Sequence, residues 1–306
     1  MALVEIKFSI ITINYNGLSD TCALIDSLPM GDDMEIIVVD NASHADEATH
    51  IEQHYPQVRL ICSDRNIGFA GGNNLGIRAA RGKYLFFLNN DTVMEGTDEE
   101  KRLALRQLAA RLESSASIGM VCPKIRFFHD GRRIQYAGFT PLTSITLRNR
   151  SIGYGETDLG QYDTPHPTPY AHGAAMMAKR EAVEKAGLMP ECYFLYYEEI
   201  DWSMMLQRAG YEIWYDPACT IFHKESQTTG QASPLKQYYN TRNRLLLAKR
   251  NKHFPTKQLS EVYQIAIVGV RDVLRHLLHR QPAMAKATLT GIADFLKGKQ
   301  MERRFN

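Results

Sequence analysis

The 306 residues include 44% hydrophobic side chains, an ordinary globular composition able to bury a substantial core as one large α/β domain with an appendage. No apolar run approaches the roughly 20 residues a bilayer span needs, and no charged-then-apolar leader opens the chain, so membrane insertion and secretion are not expected. A net charge of +2 conceals an asymmetry, because residues 236–306 hold 15 Lys/Arg against 4 Asp/Glu, which suggests an anionic partner surface or a solvated basic face.

The five cysteines, Cys22, Cys62, Cys122, Cys192 and Cys219, are odd in number and scattered, and read as reduced cytosolic thiols. Phe8 to Ile13 is a first buried strand, broken by the turn residues Asn14-Tyr15-Asn16-Gly17 before a helix starting near Ser19 or Asp20. Glu35 to Val39 is a second strand closed by Asp40-Asn41-Ala42-Ser43, and Val58 to Cys62 a third after a helix containing His50 to Tyr55. Asn66 to Thr92 then predicts a glycine-rich loop, a helix from about Asn74 to Arg81, and a buried strand, Tyr84 to Leu88, ending in Asn89-Asn90-Asp91. Gly68, Gly71 and Gly72 would let that loop bend and approach a ligand. Strand and helix alternate as in a nucleotide-binding, mostly parallel sheet, and a carboxylate at such a strand end sits where open α/β sheets bind ligands.

Asp98 to Ser114 is a Leu- and Arg-rich helix and Ile118 to Pro123 another strand. Arg126 to about Pro169 dissolves into Gly, Thr, Tyr, Asp and Pro, a long irregular stretch expected to shape a substrate pocket. Arg180 to Ala186 is a helix capped by Gly187, followed by a helix opening at Tyr193 to Trp202 and stopping at Gly210. Glu198, Glu199 and Asp201 put more negative charge in its first turn than a cap requires. Tyr211 to Tyr215 and Thr220 to Phe222 read as closing strands. The remainder is helical: Leu235 to Lys252, Leu259 to His279, and Ala283 to Lys297. Val262, Ile265, Ala266, Val270, Val273, Leu274 and Leu277 share one face of the middle helix, with Gln264, Arg271, Arg275 and His279 elsewhere. That face suits either an anionic membrane surface or packing onto the body or a second subunit.

Asp40 and Asp91 end neighbouring strands, which suits one carboxylate for a nucleoside and the other for a metal-bound diphosphate, since Mg²⁺ or Mn²⁺ needs few protein oxygens. A strand-terminal Asp serves equally well as a turn or helix cap. Gly68 to Gly76 lacks the G-x-G-x-x-G order, and Gly76 to Lys83 misses a Walker A loop by one spacer residue and by Tyr84, which disfavours dinucleotide dehydrogenases and P-loop NTPases.

With SIITINYNG, VVDNAS, NIGFAGGNNLGIRAARGKYLFFLNNDT, HGAAMMAKREAVEKAGLMPECYFLYYEEIDW and IFHKES in that order, the chain resembles the inverting glycosyltransferases of family 2, and especially their rhamnosyltransferase-like bacterial branch, over roughly residues 6–245. The resemblance implies a GT-A fold, with residues 1–235 as catalytic domain and residues 236–306 as a basic helical extension. It implies that Tyr15 and Asp40, with Asn41, contact the nucleoside of a nucleoside-diphosphate sugar, with Gly68 and Asn74 in the loop beneath it. Asn89-Asn90-Asp91 takes the place of the family's DxD motif, so that Asn90 borders the donor and the metal depends on Asp91, diphosphate oxygens and His223. It implies Glu199 as catalytic base toward a hydroxyl of a glycan or lipid-linked acceptor; Glu198 or Asp201 as base, with Glu199 as helix cap, is the alternative. Trp202 and Tyr196 or Tyr197 suit stacking on a sugar or core packing. The scattered cysteines, the absence of a leader or span and the basic amphipathic tail together suggest the cytoplasm, with the inner face of a membrane as an option.

Two other readings compete. A sugar nucleotidyltransferase would want a glycine-rich loop with Arg and Lys after strand one, where this chain has NYNGLSD. A non-catalytic sugar-nucleotide-binding protein is motivated by Asn89, Asn90 and Glu199 departing from the usual acids. Nucleic acid is not an expected partner, because no recognised module or aromatic platform accompanies the basic tail.

Overall fold

The computed structural model describes residues 5–44, 46–224 and 233–299. In chain order the first elements are β1 (Phe8–Asn14), α1 (Leu18–Ser27), β2 (Met34–Asp40), α2 (Glu47–His54), β3 (Arg59–Cys62), α3 (Gly68–Ala79) and β4 (Tyr84–Leu88). Then follow β5 (Thr92–Val93), α4 (Asp98–Glu113), β6 (Ile118–Phe127), β7 (Ile134–Tyr136), β8 (His166–Pro167), β9 (Ala175–Lys179), α5 (Arg180–Ala186), α6 (Glu198–Arg208) and β10 (Glu212–His223). The chain continues through α7 (Pro234–Asn251), α8 (Thr256–Val262), a π-helical stretch (Tyr263–Gly269), α9 (Val270–Leu278) and α10 (Pro282–Leu296).

One sheet organises the body, in the order β3-β2-β1-β4-β9-β6-β10-β5. Its first four strands are parallel, and each crossover carries a helix, as the alternation predicts. Every residue of β4 is buried, which is why its sequence shows no polar face. β9 then enters antiparallel between β4 and β6, its Ala- and Met-rich run wholly buried. The two closing strands expected near Tyr211 and Thr220 are one strand, β10, with an irregularity in its register between Asp216 and Thr220.

The predicted glycine-rich loop is the first half of a helix. Only Gly68 has a left-handed φ, +76°. A Cβ on Gly72 would come within 2.8 Å of Ile13 and one on Gly76 within 2.4 Å of Ile11, so these glycines let α3 lie close on β1 rather than let a backbone reach a ligand.

Residues 236–299 are built into the body rather than appended to it. The Tyr239 ring stacks on Phe194 at 5.4 Å, and with Tyr238 and Ala287 they form a second apolar cluster between the α6 approach, α7 and α10. The middle helix packs by its polar side: Ser260 Oγ donates to Ile145 O (2.7 Å), and Gln264 Nε2 donates to Thr146 O (3.0 Å). Its apolar side, carrying Val262, Val270, Leu274 and Leu277, faces outward.

Candidate active site

The carboxyl ends of β2, β1 and β4 form one rim, with β1 between the two strands that lead to Asp40 and Asp91, so those strands are not neighbours as expected. Asn14, the last residue of β1, pairs in register with Asp40 and donates from Nδ2 to Asp40 Oδ1 at 2.9 Å. Asp40 Oδ2 accepts from Ser43 N (3.1 Å), so the carboxylate closes its own turn while staying at the strand end. Tyr15 follows Asn14 as a partly exposed ring 6.3 Å from His44. Tyr15 and Asp40 therefore stand together on the rim.

Four other residues expected at the nucleotide are spent on the protein. Asn41 Nδ2 donates to Asn66 Oδ1 and to Gly68 O, both at 3.1 Å, while its Oδ1 accepts from Ile67 N (3.0 Å). Asn74 clamps the 189–191 turn, donating to Met189 O and Glu191 Oε1 and accepting from Met189 N. Asn90 Nδ2 donates to Thr21 Oγ1 (3.1 Å), and a Cβ on Gly17 would meet that nitrogen at 2.5 Å. Gly68 lies so close to Phe194 O that a Cβ would sit 2.3 Å away. These contacts give Asn41, Asn74, Asn90 and Gly68 structural roles around the rim.

Asp91 and His223 do meet. His223 ends β10 opposite Thr92, which brings its Nε2 within 3.1 Å of Asp91 Oδ1. Its Nδ1 lies 2.8 Å from Gln135 Oε1 on β7, a partner the sequence did not disclose because Gln135 sits inside the irregular stretch. The ring is thus held between the Gln135 amide and the Asp91 carboxylate, and if Nδ1 carries the proton toward Gln135, Nε2 and Asp91 would offer two ligands on one side to a divalent cation. Among the described residues no three His, Cys, Asp or Glu side chains converge on a metal. Two protein ligands fit Mg²⁺ or Mn²⁺ when diphosphate oxygens complete the shell. Glu225 and Ser226 of the IFHKES motif lie outside the described residues.

Glu199 packs at the turn before β9. Asn89 N donates to Ala174 O (2.9 Å), tying the end of β4 to the turn before β9, and Glu199 Cγ lies 3.8 Å from where a Cβ on Gly173 would sit. The neighbouring His172 ring is 6.3 Å from His223 and stacks on Phe139, and burial presses its pKa down to about 3, so it stays a neutral wall. Burial raises Glu199 to about 7, partly offset by the backbone N–H groups of Glu199, Ile200 and Tyr197. Glu198 is pushed well above the carboxylate range by burial and by the charge of Glu199, and its Oε2 has no hydrogen-bond partner among the described residues. The pair therefore keeps a proton on Glu198 and lets Glu199 titrate near neutrality.

Asp201, named from the sequence as another base, is removed from that role. It is fully buried, accepts from Tyr193 Oη (2.9 Å) and Asn251 Nδ2 (2.8 Å), and is salt-bridged to Arg250. These contacts pin α6 to α7. Trp202 is likewise fully buried, edge-on to Phe87 and donating to Gly187 O (2.9 Å), so it belongs to the core rather than to a sugar platform.

The loop that delivers Glu199 is strained. Phe194, Tyr196 and Tyr197 all take left-handed φ values, +70°, +68° and +77°, which aromatic residues rarely adopt. α7 holds them there. Asn243 Nδ2 points at the carbonyls of Tyr193, Leu195 and Tyr196 at 3.1, 2.7 and 2.9 Å; Arg242 donates to Cys192 O and Tyr193 O; Arg244 Nε donates to Tyr197 Oη at 2.7 Å. Sequence reasoning missed these residues because a polar helix surface gives no sign of what it braces. Asn243→Ala is expected to lower kcat about 10- to 100-fold, because small misplacements of a catalytic group are costly, while the donor KM stays near native. Steady-state kinetics with an unchanged kcat would refute the bracing role.

The family model described as "Glycosyl transferase family 2" matches residues 9–187, a segment that includes Asp91 and ends before Glu199 and His223. The chain is 29% identical over 245 residues to the low-salt glycan biosynthesis hexosyltransferase Agl10 of Haloferax volcanii, covering 78% of this chain and 74% of that protein. It is 24% identical over 290 residues to the dTDP-rhamnosyl transferase RfbF of Shigella flexneri, covering 88% and 85% respectively. The fold is similar to the crystal structure of GalNAc-T7 with UDP, GalNAc and Mn²⁺, with a TM-score of 0.60 at 15% identity. That match takes in 89% of this chain and 58% of the other, a likeness of fold alone.

Proposed function

This chain belongs to glycosyl transferase family 2 and is a glycosyltransferase, and from that premise we propose that it is an inverting, metal-dependent enzyme moving a hexose, rhamnose among the candidates, from a nucleoside-diphosphate sugar to a hydroxyl of a glycan or lipid-linked acceptor. Cell-surface polysaccharide synthesis is the setting this reading favours. The observation that carries it is the Asp91–His223 pair, 3.1 Å apart, at the end of the sheet that also bears the Tyr15 and Asp40 rim, with Glu199 packed at Gly173 in the turn before β9.

Each residue has a task in this reading. Tyr15 and Asp40 face the nucleoside. Asp91 and His223 hold the divalent cation, which when bound offsets charge on the departing diphosphate. Gln135 fixes the His223 tautomer so that Nε2 presents its lone pair. Glu199 takes the proton from the acceptor hydroxyl as that oxygen attacks the anomeric carbon from the face opposite the diphosphate. The C–O bond to the diphosphate breaks as the new glycosidic bond forms, and the proton ends on Glu199. One displacement with no covalent sugar–enzyme intermediate inverts the anomeric centre. A lipid-linked acceptor would place the enzyme at the cytoplasmic face of a membrane.

Incubating the purified chain with Mn²⁺ or Mg²⁺, UDP-, GDP- or dTDP-sugars and candidate lipid-linked acceptors tests this. Release of one nucleoside diphosphate, with the product anomer opposite to the donor by proton NMR, is expected. Retention of configuration would overturn the mechanism, and no consumption of any sugar nucleotide would overturn the activity.

A further inference from the structure

The helical run formed by α8, the π-helical stretch and α9 is amphipathic in an inverted sense. Its inward side is mainly polar: Ser260, Gln264 and His276 are buried beside Val268, the first two bonded to the 145–146 backbone and the His276 ring 3.2 Å from Gln281 Oε1. Its outward side is apolar, with Val262 63%, Leu274 55% and Leu278 82% exposed, and Phe254 81% exposed at its start. A helix recruited only to cover the body would bury the apolar side.

Basic groups border the stripe. Arg271, Arg275, His279 and Arg280 are exposed, and the nearby Asp272 is bonded by Arg271 (2.7 Å). No helix among the described residues is long and apolar enough to cross a membrane. We propose that this face docks flat on an anionic lipid bilayer, the apolar side chains entering the boundary between headgroups and acyl chains and the arginines meeting lipid phosphates. A second copy fits less well, because a two-fold contact along the stripe would gather both sets of arginines into one interface. The proposal stands apart from the sugar-transfer reading: the same helix also grips the 145–146 loop, and α7, next to it in the chain, braces the approach to Glu199.

Sedimentation of the full chain with vesicles of phosphatidylcholine alone, or of phosphatidylcholine with phosphatidylglycerol, tests the docking. Binding to the anionic vesicles is expected to be at least about tenfold tighter and to weaken with salt. The outward substitutions Val262→Glu with Leu274→Glu are expected to reduce it by about tenfold or more, since burying each such side chain contributes about that factor. Their thermal midpoint should stay near native, because both sites are exposed. Equal binding to both vesicle types, no binding, or binding untouched by the double substitution overturns the proposal. So does a native dimer in sedimentation velocity that the same substitutions dissociate, which would assign the stripe to a second copy.

Discussion

Glu199→Gln lowers kcat by about 10³, within the range a positioned general base contributes, and leaves donor affinity intact. The amide keeps the size of the side chain beside Gly173 but cannot accept the acceptor's proton. The proposed base predicts a matching pH signature in the native enzyme. Glu199 would act in its ionised form, and burial raises its pKa to about 7, so kcat/KM is expected to climb with pH and level off above that value. Glu198→Gln is the control: Glu198 holds its proton through this range, so a neutral amide there leaves the pH midpoint nearly unchanged. Stability gives a second reading with a definite sign. A carboxyl whose pKa is raised in the folded state holds stability below its unfolded value, near 4.3, and loses it as pH rises through about 7. Glu199→Gln therefore raises the thermal midpoint at pH 8, on the order of 5 °C, and not at pH 4. A pH profile unchanged by Glu199→Gln, or one abolished by Glu198→Gln alone, would reassign the base.

Asp91→Ala produces the other large loss. Asp91 Oδ1 and His223 Nε2 lie 3.1 Å apart, the pair proposed to hold the cation. Removing the carboxylate leaves His223 alone, and kcat/KM is expected to fall by at least about 10² to 10³, the scale of losing one group that stabilises charge developing on a leaving oxygen. The loss should appear in donor KM as well as kcat, because the same cation would tie the diphosphate in the ground state. Gln135→Ala should follow in the same direction with a smaller effect, through the freed His223 ring.

How far the sequence reached depends on what each residue touches. β4 and Asp91 were legible because a strand covered on both faces must be apolar throughout and must end in something polar. Glu199 and His223 were singled out only through the ordered motifs that resemble a known family; neither periodicity nor charge separates them from Glu198, Asp201 or an ordinary strand-end histidine. The glycines of α3 misled because glycine is a turn signal in isolation, and here its missing side chain serves contact with Ile11 and Ile13, partners some 60 residues earlier in the chain. Asn41, Asn74 and Asn90 show another gap. Nothing in the sequence announces their hydrogen bonds to Gly68, Met189 and Thr21, which only the three-dimensional neighbours reveal.

The strained approach to Glu199 was beyond sequence reasoning altogether. Nothing in Phe194, Tyr196 and Tyr197 announces left-handed backbone, and the carbonyls that Asn243 gathers carry no side-chain signature. That is also why the boundary drawn at residue 235 separates in sequence what is joined in space. Asp201 on α6 is held by Arg250 and Asn251 on α7, so the first helix of the extension completes the catalytic body.

Thermal unfolding of the native chain and of Asp91→Ala, each with UDP-, GDP- and dTDP-sugars in the presence and absence of Mn²⁺, tests the central claim most directly. The account predicts stabilisation by one nucleotide class, about 2–3 kcal/mol at a hundredfold excess over Kd, that requires the cation and disappears in Asp91→Ala. Stabilisation that persists in Asp91→Ala, or that needs no cation, would contradict it.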